Sequence, residues 1–222
     1  MSDEYLVDFG ELDALFDETK DNMYPAPEEY IYWKNYKDRI FYIDYEIEDN
    51  YKLVELSKII VRINWEDRDI PVEERKPIYV YIFSYGGDAN QANFFADLLI
   101  SSKTLVITIA MGAVMSAGFE IFLAGHKRYA FKHTQMLVHS GSASFTGTAE
   151  QIAAAQENYK KQLDATKSYV LERTSIDAET FDANRSKDWY FTESDFIKYN
   201  IVDAIITDIS QIFVKAGDSD GH

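Results

Sequence analysis

Three short stretches of the chain carry residue types that could perform nucleophilic chemistry. The first is "SYGG", in which Gly86 and Gly87 follow the apolar run 78–83. The second is "GAVMSAG", where Ser116 lies between two glycines, and the third is His139, which ends "QMLVH". A serine hydroxyl, an imidazole that accepts its proton and backbone N–H groups that hold a developing oxyanion are the parts that nucleophilic catalysis by serine requires.

Each of these features also has an ordinary structural explanation. Paired glycines occur in many turns, a lone serine at a helix start is more often an N-cap, and a lone histidine is more often structural. If a helix begins near Ser116, the amide of Ala117 is unpaired and points beside the serine hydroxyl. Spacing cannot choose an acidic member, because the chain has 38 aspartates and glutamates. The residues alone therefore indicate a serine, a histidine and an oxyanion turn, without their acid.

The position of His139 distinguishes it from the other three histidines. His222 is the last residue, and His126 and His133 have charged neighbours that indicate exposure. His139 alone follows a buried strand pattern and precedes a loop of small residues, "SGSASFTG". It is therefore the candidate general base.

Alternating strands and helices must position these stretches. Runs rich in strand-forming residues predict strands at 39–47, 78–83, 104–110, 128–131 and 135–139. Amphipathic patterns predict helices over 49–63, capped by Asp49 or Asn50, and over 89–102. The segment 188–206 closes the domain with a strand, a helix capped by Thr192 and a last strand. This order predicts an α/β fold with a parallel sheet and right-handed crossovers.

A single long helix is predicted over residues 148–174. Its apolar positions form a narrow stripe at spacings of three and four: Ile152, Ala155, Tyr159, Leu163, Thr166 and Val170. Such a stripe is nearer to a coiled-coil seam than to a broad core face. Contact with another subunit and packing on the helix's own domain are both consistent with it.

Composition and charge exclude several classes of protein. The chain has no cysteine, so it can form neither disulfides nor a thiolate metal site. Its net charge of −16 would repel nucleic acid. Residues 1–29 hold ten acidic side chains and one lysine, and this arm is interpreted either as a contact segment for a partner or as a solvated tail. The chain shows no secretory signal pattern and no apolar run of the roughly 18–20 residues that span a bilayer. We therefore expect a cytoplasmic protein that does not bind a membrane.

Taken together, these stretches resemble the proteolytic subunit of the Clp protease (ClpP) over residues 36–206. "IYVYIFSYGG" resembles the family's strand and Ser-Pro-Gly-Gly turn, and "GAVMSAG" resembles its Gly-x-x-x-Ser-x-Gly nucleophile turn. "QMLVHSGSASFTGTAEQI" resembles the histidine strand, the Gly-rich loop and the start of the handle helix. "KDWYFTESDFIKYNIVDAII" resembles the closing segment that carries the catalytic aspartate.

The resemblance implies a fold and a set of site residues. The fold would be a ClpP/crotonase-like spiral of βαβ units with a parallel sheet and a protruding handle helix at 148–174. The implied roles are those of a catalytic triad (Ser116, His139 and Asp188), an oxyanion hole formed by backbone amides (Gly87 and Ala117) and substrate contacts (Gly86, Ser140 and Gly141). No metal or organic cofactor is expected. The implied domains are an acidic arm at 1–29, a peptidase domain at 30–210 and a flexible tail at 211–222.

The resemblance also implies a function and partners. The chain would be a serine endopeptidase that cleaves unfolded polypeptides inside two stacked heptameric rings, with an AAA+ unfoldase ATPase as a candidate partner. Three positions depart from the family pattern. Tyr85 replaces the proline of the turn, Ser140-Gly141 replaces Gln-Pro after the histidine, and Ser186-Lys187 stands where the family often has an acidic residue and arginine.

Two other functions remain open from the sequence. One is a non-catalytic ring subunit of the same fold, which serves as a scaffold or regulator; such subunits typically lack part of the triad. The other is an acyl-CoA enzyme of the related crotonase fold, which also uses paired backbone amides as an oxyanion hole. Labelling of Ser116 by a serine-directed probe separates the first from a peptidase, and binding of an acyl-CoA identifies the second.

Overall fold

Strands and helices alternate along the chain in a computed structural model that describes residues 26–48 and 51–213. The strands are β1 (Ile40–Ile43), β2 (Ile78–Ser84), β3 (Val106–Met115), β4 (Lys127–Phe131), β5 (Gln135–Val138), β6 (Trp189–Phe191) and β7 (Ala204–Ile206). The helices are α1 (Pro27–Lys37), α2 (Tyr51–Glu66), α3 (Ala89–Ser101), α4 (Ala117–Leu123), α5 (Ala149–Arg173), α6 (Ala178–Asn184) and α7 (Glu193–Lys198). Short 3-10 turns lie at Asp67–Asp69, Val72–Glu74 and Ile209–Ile212. The predicted α/β class is confirmed.

The strands form one seven-stranded sheet that branches at β3. Its main path runs β1-β2-β3-β4-β7, and every neighbouring pair on this path is parallel. The first half of β3 pairs with β4, while the second half pairs with β5. Strand β6 then joins β5 as the antiparallel edge. The branch places the ends of β2, β3 and β5 beside the start of β6.

Gly112 makes the branch in β3. The predicted strand ended at residue 110, but the observed strand continues to Met115. Gly112 adopts φ +60°, a conformation that glycine enters without steric penalty. The register against β2 shifts at the same place, because Ile82 pairs with Ala110 but Ser84 pairs with Val114. A kinked strand of this kind can serve two partners, which periodicity alone did not indicate.

The main hydrophobic core lies between the sheet and the helices. Helix α2 buries Leu53, Leu56, Ile60 and Ile63 along one face, which is consistent with its amphipathic pattern. All seven residues of α4 are buried, so this helix passes through the core rather than over it. A smaller apolar cluster covers the other face of the sheet with Tyr79, Tyr81, Ile107, Ile109, Ile206 and Ile212. The predicted caps Asp49 and Asn50 lie outside the described residues.

A buried ion pair joins α2 to the start of the sheet. Asp67 follows α2 and is 1% exposed, and its two carboxylate oxygens each accept a hydrogen bond of 2.7 Å from the guanidinium of Arg39. Thr104 donates a third hydrogen bond of 2.8 Å to Asp67. Burial by itself raises the pKa of this carboxyl, but the hydrogen bonds and the positive charges of Arg39 and Arg75 outweigh burial and lower the pKa.

Helix α5 confirms the predicted long helix within one residue at each end. Thr148 and Gln151 form a capping box at its start, with the Thr148 hydroxyl accepting from the Gln151 amide. The predicted apolar stripe is turned toward this chain's own domain, with Val170 fully buried. No helix in the described part of the chain is long and apolar enough to cross a membrane.

The ends of the domain differ from the prediction. The boundary predicted at 29/30 falls inside α1, which begins with Pro27 and carries Glu28 and Glu29 in its first turn. Proline and acidic residues favour the N-terminal end of a helix. The rest of the predicted arm lies outside the described residues. At the other end, Ile212 is fully buried, so the fold continues beyond residue 210 into the predicted tail, of which 214–222 are outside the described residues.

Candidate active site

The candidate site lies where β2, β3 and β5 end and the antiparallel β6 begins. Strand register explains the convergence. Met115 pairs with Leu137, and the amide of Ser116 donates a 2.9 Å hydrogen bond to the Leu137 carbonyl. Val138 pairs with Trp189 in the antiparallel β5–β6 ladder, so the same register continued by one residue sets His139 opposite Asp188. Main-chain hydrogen bonds therefore bring three distant parts of the sequence together.

Ser116 occupies the turn between β3 and α4. Its backbone has φ 52° and ψ −123°, a combination that costs a residue with a side chain of the order of 1–3 kcal/mol. The ordinary explanation, a serine that caps the helix through its hydroxyl, is not observed, because the side chain makes no capping hydrogen bond. The hydroxyl oxygen instead lies 2.9 Å from Nε2 of His139.

The imidazole of His139 bridges Ser116 and Asp188. Its Nδ1 lies 3.0 Å from Oδ1 of Asp188, while Nε2 faces the serine. A carboxylate can only accept, so Nδ1 carries the proton and Nε2 is free to accept the serine proton. The His139 side chain is 30% exposed and that of Asp188 58% exposed, so this end of the site is open to water.

The glycine turn after β2 lies directly against the nucleophile. A Cβ placed on Gly86 would come within 2.7 Å of the Ser116 Cβ and 3.2 Å of the Ala117 nitrogen. The Gly86 amide donates to the Ser84 hydroxyl at 3.2 Å, and its carbonyl accepts from Ile47 at 2.8 Å. Both polar backbone groups of Gly86 are thus occupied, and its predicted contact with substrate stays a prediction.

The amides of Gly87 and Ala117 differ from that of Gly86. Within the residues that the structure describes, neither N–H donates to a protein acceptor. Gly87 has φ +144° and its backbone lies against that of Ile47, where a Cβ would come within 1.8 Å of a carbonyl oxygen, so only glycine fits. Two unpaired amides beside the serine are the arrangement that an oxyanion hole requires.

A cavity of about 490 Å³ opens beside the serine and continues between α3, α4 and α5. Ser116, Ala117, Gly87 and His139 line its mouth, and the predicted substrate-contact residues Ser140 and Gly141 also line it. Ser140 is held in place, because its hydroxyl donates to the Arg185 carbonyl at 2.6 Å and its own carbonyl accepts from Tyr159 at 2.6 Å. The cavity is large enough for a side chain of a bound peptide.

Glu120 is a site residue that the sequence reasoning missed. It lies on α4 within the apolar run "FEIF", lines the cavity and is 8% exposed. Burial raises the pKa of its carboxyl to about 7, and a hydrogen bond from Thr166 lowers it only in part. The signal was a single carboxylate in a stretch that otherwise reads as helix core.

Two of the three departures from the family pattern, Tyr85 and Ser186-Lys187, are on the surface, whereas Ser140-Gly141 lines the cavity. Tyr85 is 60% exposed and packs edge-on against Phe83, with ring centroids 5.9 Å apart. Ser186 and Lys187 are exposed in the connection between α6 and β6.

In the described ranges 26–48 and 51–213, no group of three or more His, Cys, Asp or Glu side chains could hold a metal ion.

Comparison with known proteins identifies the family. A family model described as Clp protease matches residues 28–209. The chain is 26% identical over 183 residues to an ATP-dependent Clp protease proteolytic subunit 2 of Rhodococcus jostii, covering 82% of this chain and 90% of that protein. It is 29% identical over 183 residues to a proteolytic subunit 1 of Mycobacterium leprae, covering 80% and 86%.

A solved structure agrees with the fold. A mutant of ClpP1 from Listeria monocytogenes superimposes with a TM-score of 0.70 at 21% sequence identity, covering 82% of this chain and 99% of that one. This likeness concerns the fold, whereas the family model spans most of the described residues and all three members of the Ser-His-Asp arrangement. The chain belongs to the Clp protease family.

Proposed function

We propose that this chain is a serine endopeptidase that hydrolyses peptide bonds of unfolded polypeptides. The observation that carries the proposal is the continuous arrangement of Ser116, His139 and Asp188, with contacts of 2.9 and 3.0 Å. The strained backbone of Ser116 directs its hydroxyl to the histidine rather than to the helix end. A serine that had only a structural role would gain nothing from this conformation.

The mechanism follows from which atoms face each other. The Ser116 hydroxyl attacks a peptide carbonyl while Nε2 of His139 takes its proton, which forms a tetrahedral intermediate. His139 then delivers that proton to the leaving amine, and water repeats the sequence to release the acyl group. Asp188 accepts from Nδ1, keeps the imidazole in the required tautomer and stabilises its cation.

The amides of Gly87 and Ala117 would hold the developing oxyanion. One such donor is typically worth about 3–4 kcal/mol of transition-state stabilisation. Both amides line the cavity beside the serine and are unoccupied by other described groups. In this proposal the glycine turn therefore supplies a substantial part of the rate enhancement, through the amide of Gly87.

An open peptidase site of this kind requires confinement. We propose that the chain assembles into stacked rings that enclose the sites, and that a Clp-type ATPase delivers unfolded substrates in the cytoplasm. Support comes from the relatives' names, which are those of ATP-dependent Clp protease proteolytic subunits. A native mass measurement of the particle, alone and with an ATPase of this kind, tests the assembly.

The decisive experiment for the chemistry compares Ser116→Ala with wild type. We expect a fluorophosphonate probe to label wild type at Ser116, and hydrolysis of a short fluorogenic peptide to fall by at least about 10⁴-fold in the variant. Ser101→Ala, at the exposed end of α3, is the matched control and should keep full activity. Equal hydrolysis by Ser116→Ala would refute the mechanism.

A different result would point to one of the other functions. Absence of both labelling and hydrolysis in the assembled particle would favour a non-catalytic ring subunit. Binding of an acyl-CoA in the cavity, with no peptide hydrolysis, would favour an acyl-CoA enzyme.

A further inference from the structure

A buried carboxyl lies in the cavity without an adequate partner. Glu120 is 8% exposed, and its Oε2 is buried with no hydrogen-bond partner among the described residues. Its Oε1 receives one long hydrogen bond, 3.4 Å, from the hydroxyl of Thr166. A buried carboxylate normally has several donors or a cation beside it, because desolvation penalises an isolated charge heavily. Glu120 therefore has unmet hydrogen-bonding capacity among the described residues.

The position of Glu120 relates it directly to Ser116. The two residues are four apart across the start of α4, so Glu120 lies one helical turn along from the nucleophile, about 6 Å in rise. Both line the same cavity. When a peptide carbonyl sits at Ser116, the side chain of that residue is the nearest group that can enter the cavity. An extended side chain of lysine or arginine has the length to reach from Ser116 to Glu120.

The lining of the cavity combines anionic and polar groups with apolar side chains such as Phe145 and Leu163. It contains the carboxylates of Asp88 and Glu120, and the described lining residues include no lysine or arginine. Side-chain amides and a hydroxyl from α3 and α5 also line it: Asn90, Asn93, Asn158, Gln162 and Thr166. Such a surface attracts a cation and offers it hydrogen-bond acceptors. An apolar side chain would leave the same groups desolvated and unpaired.

We infer that Glu120 selects a lysine or arginine side chain on the residue whose carbonyl Ser116 attacks. The ammonium or guanidinium group donates to Oε2 of Glu120, which forms a charge-assisted hydrogen bond that the empty protein lacks. The amide oxygens of the neighbouring α3 and α5 side chains accept the remaining protons. This inference rests on the proposed function, and it names the substrate class of that site: polypeptides cleaved after basic residues.

The test uses two fluorogenic peptides that differ only at the residue before the cleaved bond. One carries lysine and the other norleucine, which has nearly the same shape without the charge. At pH 8 we expect wild type to cleave the lysine peptide with a kcat/KM about 10- to 100-fold higher, the range for a hydrogen bond to a charged group. Glu120→Gln should reduce this ratio at least about 10-fold, mainly through the lysine peptide.

A matched control separates a local contact from overall charge. Glu157 lies on the exposed side of α5, paired with Lys161 at 2.9 Å, and does not line the cavity. Glu157→Gln removes the same charge from the same region, so its lysine-to-norleucine ratio should equal that of wild type. A preference for norleucine in wild type, or an unchanged ratio in Glu120→Gln, would overturn the inference.

A binding measurement decides the inference even if no peptide is cleaved. In the Ser116→Ala background, we expect a fluorescent peptide that ends in lysine amide to bind about 10-fold more tightly than its norleucine counterpart. Glu120→Gln in that background should abolish the difference. Equal binding of the two peptides contradicts the role of Glu120. Failure of Ser116 labelling and of all hydrolysis, in contrast, contradicts the proposed peptidase, so the two failures are distinguishable.

Discussion

Asp67 and Glu120 both carry buried carboxyls, but Asp67 receives several short hydrogen bonds whereas Glu120 receives one long hydrogen bond. Asp67, at the start of the sheet, receives two 2.7 Å hydrogen bonds from Arg39 and one of 2.8 Å from Thr104. Glu120, in the cavity, receives one of 3.4 Å from Thr166. The pKa of Asp67 is lowered because its partners outweigh the effect of burial, whereas burial raises the pKa of Glu120 to about 7.

The difference distinguishes a carboxylate whose hydrogen bonds are completed within the fold from a carboxyl whose hydrogen-bonding capacity is unmet among the described residues. Asp67 joins α2 to the start of β1 and to Thr104, two residues before β3, and its hydrogen bonds are completed within the fold. Glu120 weakens the fold when ionised, because among the described residues no cation forms an ion pair with it and one of its oxygens has no hydrogen-bond partner. We infer that the cation of a substrate side chain supplies the partner that Glu120 lacks among the described residues.

Removing Arg39 should have the largest effect on stability. Arg39→Met leaves the Asp67 carboxylate buried without its cation, and we expect the free energy of unfolding to fall by about 3–5 kcal/mol. Urea unfolding monitored by circular dichroism measures this change. Lys76→Met is the control, because the Lys76–Asp38 pair is about half exposed and should contribute less than about 1 kcal/mol. Equal losses in the two variants would contradict the distinction between them.

Glu120→Gln should change the pH dependence of stability. The pKa of Glu120 is about 7 in the folded protein against a usual value of 4.5, so the folded state holds this proton more tightly. The stability from this group is complete below about pH 4.5 and is lost as the pH rises through 7. We expect the variant to be more stable than wild type by about 3 kcal/mol at pH 9 and nearly equal at pH 4.

Urea titrations at several pH values provide the measurement for Glu120. Glu157→Gln, with an exposed carboxylate, should follow the wild-type curve throughout. If wild type and Glu120→Gln keep the same difference at every pH, Glu120 does not titrate as its burial requires.

The two threonines give the finest comparison. Thr104→Val removes a 2.8 Å donor from the Asp67 carboxylate in a fully buried position, which should cost about 1.5–3 kcal/mol. Thr166→Val removes only the 3.4 Å donor from Glu120 and should cost less than about 0.5 kcal/mol. Thermal and urea unfolding of both variants at pH 7 tests the order. A larger loss for Thr166→Val would mean that Glu120 is held as firmly as Asp67.

Much of the fold could be predicted, because hydrophobic periodicity reports burial directly. The spacing of apolar residues predicts the buried face of α2 and the length of α5. Thr148 is a residue type that favours the start of a helix such as α5. The kink at Gly112 could not be predicted, since it depends on β3 pairing with β4 in one half and with β5 in the other. The start of α1 at Pro27 agrees with its end residues, because proline and acidic side chains favour the first turn of a helix.

The site was predictable in part, for a related reason. Ser116 and His139 each follow an apolar strand pattern, so sequence alone made them candidates. Asp188 depends on the β5–β6 register, which no local pattern encodes, and only the family resemblance placed it. Glu120 was missed because a helix buried on all sides gives no periodicity against which one carboxylate stands out.

The positive φ of Ser116 also affects which substitutions this position would accumulate during evolution. Glycine adopts this conformation more easily, so Ser116→Gly would relieve strain at this turn. Mutation acting on a chain kept only for its shape would therefore tend to erase this hydroxyl. In the proposed mechanism this strain is the cost of a reactive hydroxyl, and we expect related chains that have lost peptidase activity to carry glycine at this position.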